Sequence, residues 1–157
     1  MIFRKATKVD LMDIVVMLAN DPLGALREDL QHPEKYEQAF DLIDKDPNQE
    51  LMVVEDGNGE TIGTFHLTFI QYLTHQASIR AQIESVRVRE DQRGKGVGEK
   101  MFQWAIERAK KKGAQLVQLT SDKKRSDAIR FYEKLGFVAS HEGLKLVIGD
   151  RKVDGSS

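Results

Sequence analysis

The run QRGKGVG at positions 92–98 constrains this chain more than any other feature, because it sets three glycines and two cations between a strand-like segment and a long amphipathic stretch. Glycines at 94, 96 and 98 let the backbone turn sharply and approach a ligand with no Cβ in the way. Amides at the start of a helix have no intrahelical acceptor. With the positive end of the helix dipole, and with Arg93 and Lys95 nearby, they favour a phosphate. Upstream, residues 81–89 set Ile83, Val86 and Val88 among polar neighbours and read as a strand. Downstream, Val97, Met101, Trp104, Ala105 and Arg108 share one side at helical spacing, and Phe102, Ile106 and Ala109 broaden the apolar stripe. Lys110, Lys111 and Lys112 fall in the last turn, where cations suit the dipole, and Gly113 is placed to end the helix. The order is strand, glycine loop, helix.

Two common phosphate loops fail on spacing. A P-loop needs Gly, four residues, then Gly-Lys followed by Ser or Thr, and neither Gly94 nor Gly96 begins that pattern. The dinucleotide fingerprint GxGxxG fails too: from Gly94 the third glycine arrives one residue early, and from Gly96 the last position is Met101. What fits is Arg or Gln, two residues, Gly, one residue, then Gly or Ala, met by Arg93, Gly96 and Gly98. This resembles the acyl-CoA loop of the GNAT superfamily of N-acyltransferases. The segment IESVRVREDQRGKGVGEKMFQWAIERAKKKG is similar to that superfamily's central strand, loop and helix, and SDAIRFYEKLGF at 126–137 to its following helix and turn. The agreement covers about residues 83–137, and is weaker in the first strand and helix. The later motif also makes sense unaided. Ser126 or Asp127 caps a helix, Ala128, Phe131 and Leu135 form its buried stripe, and Gly136 stops it in the left-handed conformation, with Phe137 packing back on the last turn.

The remaining pattern fills in the architecture. Residues 2–6 read as a strand; Thr7 or Asp10 caps a helix to about residue 19 with Leu11, Ile14, Val15 and Leu18 on one face. Asp21, Pro22 and Gly24 break it, and a second helix follows Pro33, with Tyr36, Phe40 and Ile43 in register, and ends before Pro47. Strands at 51–55 and 61–72 flank the turn DGNG, another follows at 116–120, and a closing pair is expected at 137–140 and 144–148 around Gly143. The expected fold is therefore α/β, with a mixed, mostly antiparallel central sheet of about seven strands flanked by helices, as the resemblance also implies. Residues 1–149 are expected as a single N-acetyltransferase domain, large enough to bury about 70% of its unfolded surface, and 150–157 as a disordered tail.

Charge and composition narrow the partners. A net charge of −1 argues against broad attraction to nucleic acid, although Lys123, Lys124 and Arg125 form a local basic cluster that reads equally as a solvated turn. The absence of cysteine removes disulfides, thiolate metal sites and a cysteine acyl-enzyme, so acyl transfer goes directly or through another nucleophile. No segment reaches the apolar length of a membrane span, and the N-terminus lacks the apolar core of a signal peptide; the expectation is a cytoplasmic protein with no membrane and no nucleic acid among its partners. The resemblance leaves a homodimer open.

Acetyl transfer from a thioester to an amine needs a held donor, a neutral amine, a stabilised oxyanion and a protonated leaving thiolate. The loop amides of Arg93, Gly94, Lys95, Gly96, Val97 and Gly98 are the expected pyrophosphate holders, making acetyl-CoA the expected co-substrate. By resemblance, the backbone edge at Val86 and Val88 pairs with the pantetheine arm like an added strand. Resemblance also makes Tyr132 of FYEKLGF the general acid to the thiolate. Glu84 is the candidate base, directly or through a water. In a regular strand it points with Val86 and Val88, where desolvation would raise its pKa; a bulge, which the superfamily often has here, would change that parity. Where many relatives carry an Asn before the helix this chain has Arg125, which is suited to a phosphate or an acidic substrate. His66, His75 and His141 have no partners at diagnostic spacing and read as structural; no metal site is expected.

The acceptor is open between a small-molecule amine, an amino acid, and a peptide or protein amine. The resemblance assigns its site to residues 20–36 and 141–148; the charges Asp21, Arg27, Glu28 and Asp29 there suit an amine, or are simply solvated. Two other readings are a non-catalytic acyl-CoA-binding sensor or scaffold, and a nucleic-acid module using Lys95, residues 110–112 and residues 123–125. Balanced charge and the lack of interleaved aromatic and basic residues disfavour the second.

Overall fold

The computed structural model describes residues 1–125 and 127–149. They divide into two compact units, Met1–Leu119 and a second from Thr120 onward.

The first unit carries the sheet. Strands β1 (Ile2–Lys5), β2 (Gln49–Glu55), β3 (Thr61–Gln71), β4 (Ile79–Val88) and β5 (Ala114–Gln118) lie side by side in chain order. The first three pairings are antiparallel and β4–β5 is parallel. Helices α1 (Leu11–Ala19), α2 (Gly24–Arg27) and α3 (Pro33–Lys45) fall between β1 and β2, and α4 (Val97–Lys111) connects β4 to β5, the crossover that a parallel pair requires.

Local chemistry explains the boundaries. Asp10 accepts from the Thr7 amide at 2.7 Å, fixing the entry to α1, and Pro33 sits in the first turn of α3, where no amide partner is lost. In the turn between β2 and β3, the Asp56 carboxylate accepts from the amides of Asn58 and Glu60 at 2.8 and 3.0 Å, and Gly59 has φ of 77°. Gly113, at φ 82°, donates back to the Lys110 carbonyl and ends α4.

Each sheet face has its own cover. On one, Phe65 meets Trp104 of α4 with ring centroids 5.7 Å apart, and Trp104 stacks on Phe3 at 5.5 Å. Met101 and Phe102 are fully buried there, and Met101 packs so closely on Gly63 that a Cβ at that position would sit 3.1 Å from its sulfur. On the other face Leu11, Ile14 and Val15 of α1 and Phe40 of α3 cluster over Val53. Burial of such side chains contributes about 1.5–3 kcal/mol each, so the two layers hold the sheet from both sides.

Two features depart from the sequence pattern. Between β3 and β4, Thr74–Ala77 forms one tight turn in which His75, Gln76 and Ala77 all have positive φ, of 54°, 60° and 59°. The closing pair expected at 137–140 and 144–148 forms no strands, so among the described residues the sheet has five strands rather than about seven. Among the described residues of the second unit no strand offers these segments a ladder, and a lone two-stranded hairpin is marginal in water. That unit contains α5 (Ala128–Lys134), which Gly136 terminates at φ 101° while Phe137 donates to the Tyr132 carbonyl at 3.0 Å. Asp127 occupies the N-cap position without a side-chain cap bond. The alternative cap Ser126 and the expected disordered tail at 150–157 lie outside the described residues.

Candidate active site

The glycine loop folds as its composition dictates. Gly94 and Gly96 have φ of 78° and 80°, and a Cβ at either would meet nothing within 4 Å. The glycines therefore answer to backbone conformation and leave open space beside the chain. Gly96 is the N-cap of α4, and the first helical bond runs from Lys100 to the Gly96 carbonyl at 3.2 Å. Among the described residues, the amides from Gly94 to Glu99 donate to no backbone acceptor. Unsatisfied amides at the positive end of a helix of 15 residues make an anion cradle.

Arg93 is exposed but anchored to the backbone. Its Nε donates to the Val88 carbonyl at 3.2 Å and its terminal nitrogen to the Asn20 carbonyl at 3.4 Å, bracing the loop between the end of β4 and the end of α1. Beside the loop, β4 runs on past its last β5 pairing, Gln82 with Gln118. Among the described residues, β4 from Ile83 to Val88 therefore has no strand partner on that edge, and Val86 and Val88 lie in this stretch.

The bulge that would change the parity of β4 is present. Thr64 pairs with Arg87 and His66 with Glu84, so β4 holds one residue more than β3 between those pairs, and Ser85 takes φ of 55°. By this register Glu84 and Arg87 share a face, whereas Val88, opposite Gly63, is on the other; the expected alignment of Glu84 with Val88 does not hold. Glu84 is exposed and accepts from the Gln82 side-chain amide at 3.0 Å. Arg87 Nε lies 3.0 Å from Asp21 Oδ2, both side chains nearly enclosed, and Asp21 Oδ1 also accepts from the Gly24 amide at 2.6 Å. The bulge thus ties β4 to the start of α2.

His66, directly across from Glu84, is mostly buried, and its Nε2 lies 2.8 Å from Gln49 Oε1. Burial pushes its pKa below the ordinary imidazole value, against the opposing pull of the Glu84 charge. His66 and Ser85 line a small cavity of about 110 Å³ with Leu11 and Ile14 of α1 and Tyr36 and Phe40 of α3. The Tyr36 hydroxyl donates to Glu28 and accepts from the Asp29 amide, both at 2.9 Å. These are the acidic residues expected near an acceptor. A larger cavity of about 460 Å³ is lined by α1 and the ends of β1, β3 and β4. Of its three arginines, Arg4 pairs with Asp10 and Glu55, Arg89 with Asp91 and Glu60, and Arg93 donates to the Val88 and Asn20 carbonyls; His66 lines the smaller cavity and not this one, and Glu84 lines neither. The smaller cavity is the one beside groups able to move a proton.

Tyr132 lies on α5 in the second unit, its ring 5.6 Å from Phe131 and 6.1 Å from Phe137 in edge-on contacts. Arg125 precedes that helix and receives the Ala128 amide on its carbonyl at 3.1 Å. His75 sits in the left-handed turn and His141 beside Ser140, and among the described residues no three His, Asp or Glu side chains gather as metal ligands. No described helix is long and apolar enough to cross a membrane.

Known proteins resemble this arrangement along most of its length. Residues 15–137 match the family model described as "Acetyltransferase (GNAT) family". The chain is 34% identical over 103 residues to an aminoalkylphosphonate N-acetyltransferase of Salmonella typhimurium, covering 66% of this chain and 64% of the relative. It is 32% identical over 91 residues to an L-methionine sulfoximine/L-methionine sulfone acetyltransferase of Pseudomonas aeruginosa, covering 57% and 51%. It thus spans less than two thirds of the length of either relative. A crystal structure of a protein described as a transcriptional regulator from Bacillus halodurans superimposes with a TM-score of 0.89 at 51% identity, covering 94% of this chain and 99% of that one.

Proposed function

The chain belongs to the GNAT acetyltransferase family, and from that premise we propose that it is a cytoplasmic N-acetyltransferase that moves the acetyl group of acetyl-CoA directly to a small primary amine, with residues 1–149 acting as one catalytic domain. The observation that carries this reading is the row of unsatisfied amides from Gly94 to Glu99, set beside a strand edge with no partner beyond Gln82. The residues fit the donor. The amides of Gly94, Lys95, Gly96, Val97 and Gly98 suit a pyrophosphate, with Arg93 bracing the loop and Arg125 a further cation for a phosphate; Val86 and Val88 offer backbone groups to an amide-bearing arm. Acetyl-CoA, when bound, supplies the thioester carbonyl that the amine attacks.

Glu84, exposed on the sheet face beside the small cavity, takes the proton of the incoming amine directly or through a water. Tyr132 returns a proton to the departing sulfur. The relatives' printed substrates, aminoalkylphosphonates and methionine sulfoximine or sulfone, are small molecules, which supports a small acceptor over a protein lysine.

The test is thiol release across a panel of primary amines, for the wild type and for Glu84→Gln and Tyr132→Phe. Tyr132→Phe is expected to lower turnover by about a hundred- to ten-thousand-fold with acetyl-CoA binding retained. Glu84→Gln is expected to abolish the acidic limb of the kcat/KM profile, and retention of that limb would remove Glu84 as base. A second reading, a non-catalytic acyl-CoA sensor, draws on the regulator description of the Bacillus halodurans protein. Tight acetyl-CoA binding with no thiol release from any amine would favour it.

A further inference from the structure

Arg80 differs from the other strand arginines of its unit in having no counter-ion. Arg4 and Arg87 each face a carboxylate within ion-pair distance, as do Arg89, just past the end of β4, and Arg108 of α4, but Arg80 makes no such pair among the described residues. Its guanidinium sits over the Tyr72 ring, 4.9 Å from the centroid. Its two hydrogen-bond partners carry no negative charge and are distant: Gln118 Oε1 at 3.4 Å and His75 Nδ1 at 3.4 Å. Its Nε–H is closed off from solvent and donates to nothing among the described residues. A guanidinium offers five N–H donors in a planar fork matched to carboxylate and phosphonate oxygens, and bonds of 3.4 Å to groups without negative charge are at the weak limit of that capacity. The aromatic ring holds the fork in place without neutralising it.

The position of this cation gives it a use. Arg80, Gln82 and Glu84 alternate along β4 before the bulge and so share a face, the one on which His66 stands opposite Glu84. Side-chain amides link the two charged ends: Gln82 donates to Glu84 at 3.0 Å, Gln118 donates to Gln82 at 2.8 Å, and Arg80 donates to Gln118. One end of the strip is a carboxylate whose only hydrogen-bond partner among the described residues is an amide, and the other is the unneutralised guanidinium. All of it lies in Met1–Leu119.

Resting on the acetyltransferase reading above, we infer that the acceptor is a primary amine whose far end carries an anionic group, a carboxylate or a phosphonate, with the amine at Glu84 and the anion on Arg80, four strand residues and so about 13 Å along β4. Arg80 is thus the residue that sets acceptor specificity. An uncharged alkylamine would leave the guanidinium without its acceptor, whereas an anionic one replaces two long bonds with a charge-assisted pair.

The experiment compares three acceptors of equal chain length, each long enough to span about 13 Å between its ends: a plain alkylamine, the corresponding amino carboxylate and the corresponding aminoalkylphosphonate. Each is assayed by thiol release with wild type, Arg80→Gln and Arg80→Lys, all first checked for an unaltered melting temperature. The readout is the ratio of kcat/KM for an anionic acceptor to that for the alkylamine. The expected wild-type ratio is at least tenfold in favour of the anion; Arg80→Gln lowers it by about 10- to 100-fold, mainly through KM, and Arg80→Lys falls between. The better of the two anionic acceptors identifies which anion the site takes. A ratio near unity in the wild type, or one that Arg80→Gln leaves unmoved, overturns the inference while leaving acetyl transfer intact. Calorimetry with a simple alkylphosphonate and alkylcarboxylate, which lack the amine, reads the anion end without turnover: at least one should bind wild type and not Arg80→Gln, and binding that survives in Arg80→Gln also overturns it. If no amine releases thiol, the underlying function fails instead, and the specificity assignment falls with it.

Discussion

One extra residue in β4 decides what its neighbours can do. With Ser85 absorbed at φ 55°, Glu84 faces His66, and Arg87 turns to Asp21 on the same side. His66 stays neutral there because burial disfavours its charged form more than the Glu84 carboxylate favours it. The sign of the pH effect follows. Its folded pKa lies below 6.5, so the unfolded chain takes up a proton that folded His66 resists, and the His66 contribution to stability is complete above about pH 6.5 and lost as the pH falls below it. His66→Gln is expected to flatten the fall in melting temperature between pH 7 and 5, the difference in slope being at most about 1.4 kcal/mol per pH unit. Parallel curves for the two proteins would show that His66 carries no such linkage. Glu84 is proposed as base from its place in the strand leading to the glycine loop, and that place was legible in the sequence. Arg80 gave no comparable signal, because what marks it is a missing counter-ion, and that depends on which carboxylates the fold brings near.

At the scale of elements, the strands and helices that were legible were those with long, unbroken periods: α1, α3 and α4 with their apolar stripes, and β2 and β3 around DGNG. The left-handed turn Thr74–Ala77 was not, since Gln76 and Ala77 rarely take positive φ and a single His75, though its type is commoner there, does not mark three such residues in a row. The closing pair was misread for the opposite reason: alternation was there, but a strand needs a ladder as well as a pattern. The loop before α4 combines both lessons, its glycines being required by conformation and its amides left free by it. Gly96→Ala would force a Cβ into φ of 80° with no steric clash to blame, at about 1–2 kcal/mol of backbone strain. We expect acetyl-CoA affinity to drop about 5- to 30-fold as the loop relaxes away from its cradle geometry. Calorimetry on the folded variant measures this, and an unchanged Kd would mean that the loop tolerates the side chain in place.

Across the whole molecule, the family match at residues 15–137 runs through both compact units, one bearing the sheet and Glu84, the other Tyr132. The chain's balanced charge, net −1, gives it little electrostatic self-repulsion to keep copies apart. That matters for the strand edge from Ile83 to Val88, which among the described residues has no strand partner although the Val86 and Val88 carbonyls accept from Arg87 and Arg93, because an open strand edge is a template for any other extended chain. If the proposed donor lies along this edge, it would also act as a guard against clumping. Coenzyme A without its acetyl group, which cannot turn over, is expected to delay the onset of light scattering on heating when samples are compared at equal fraction unfolded, and equal onsets would remove the edge as the point of attachment. On that proposal, a shortage of this coenzyme leaves the edge bare, and precipitation is the loss it is expected to bring first.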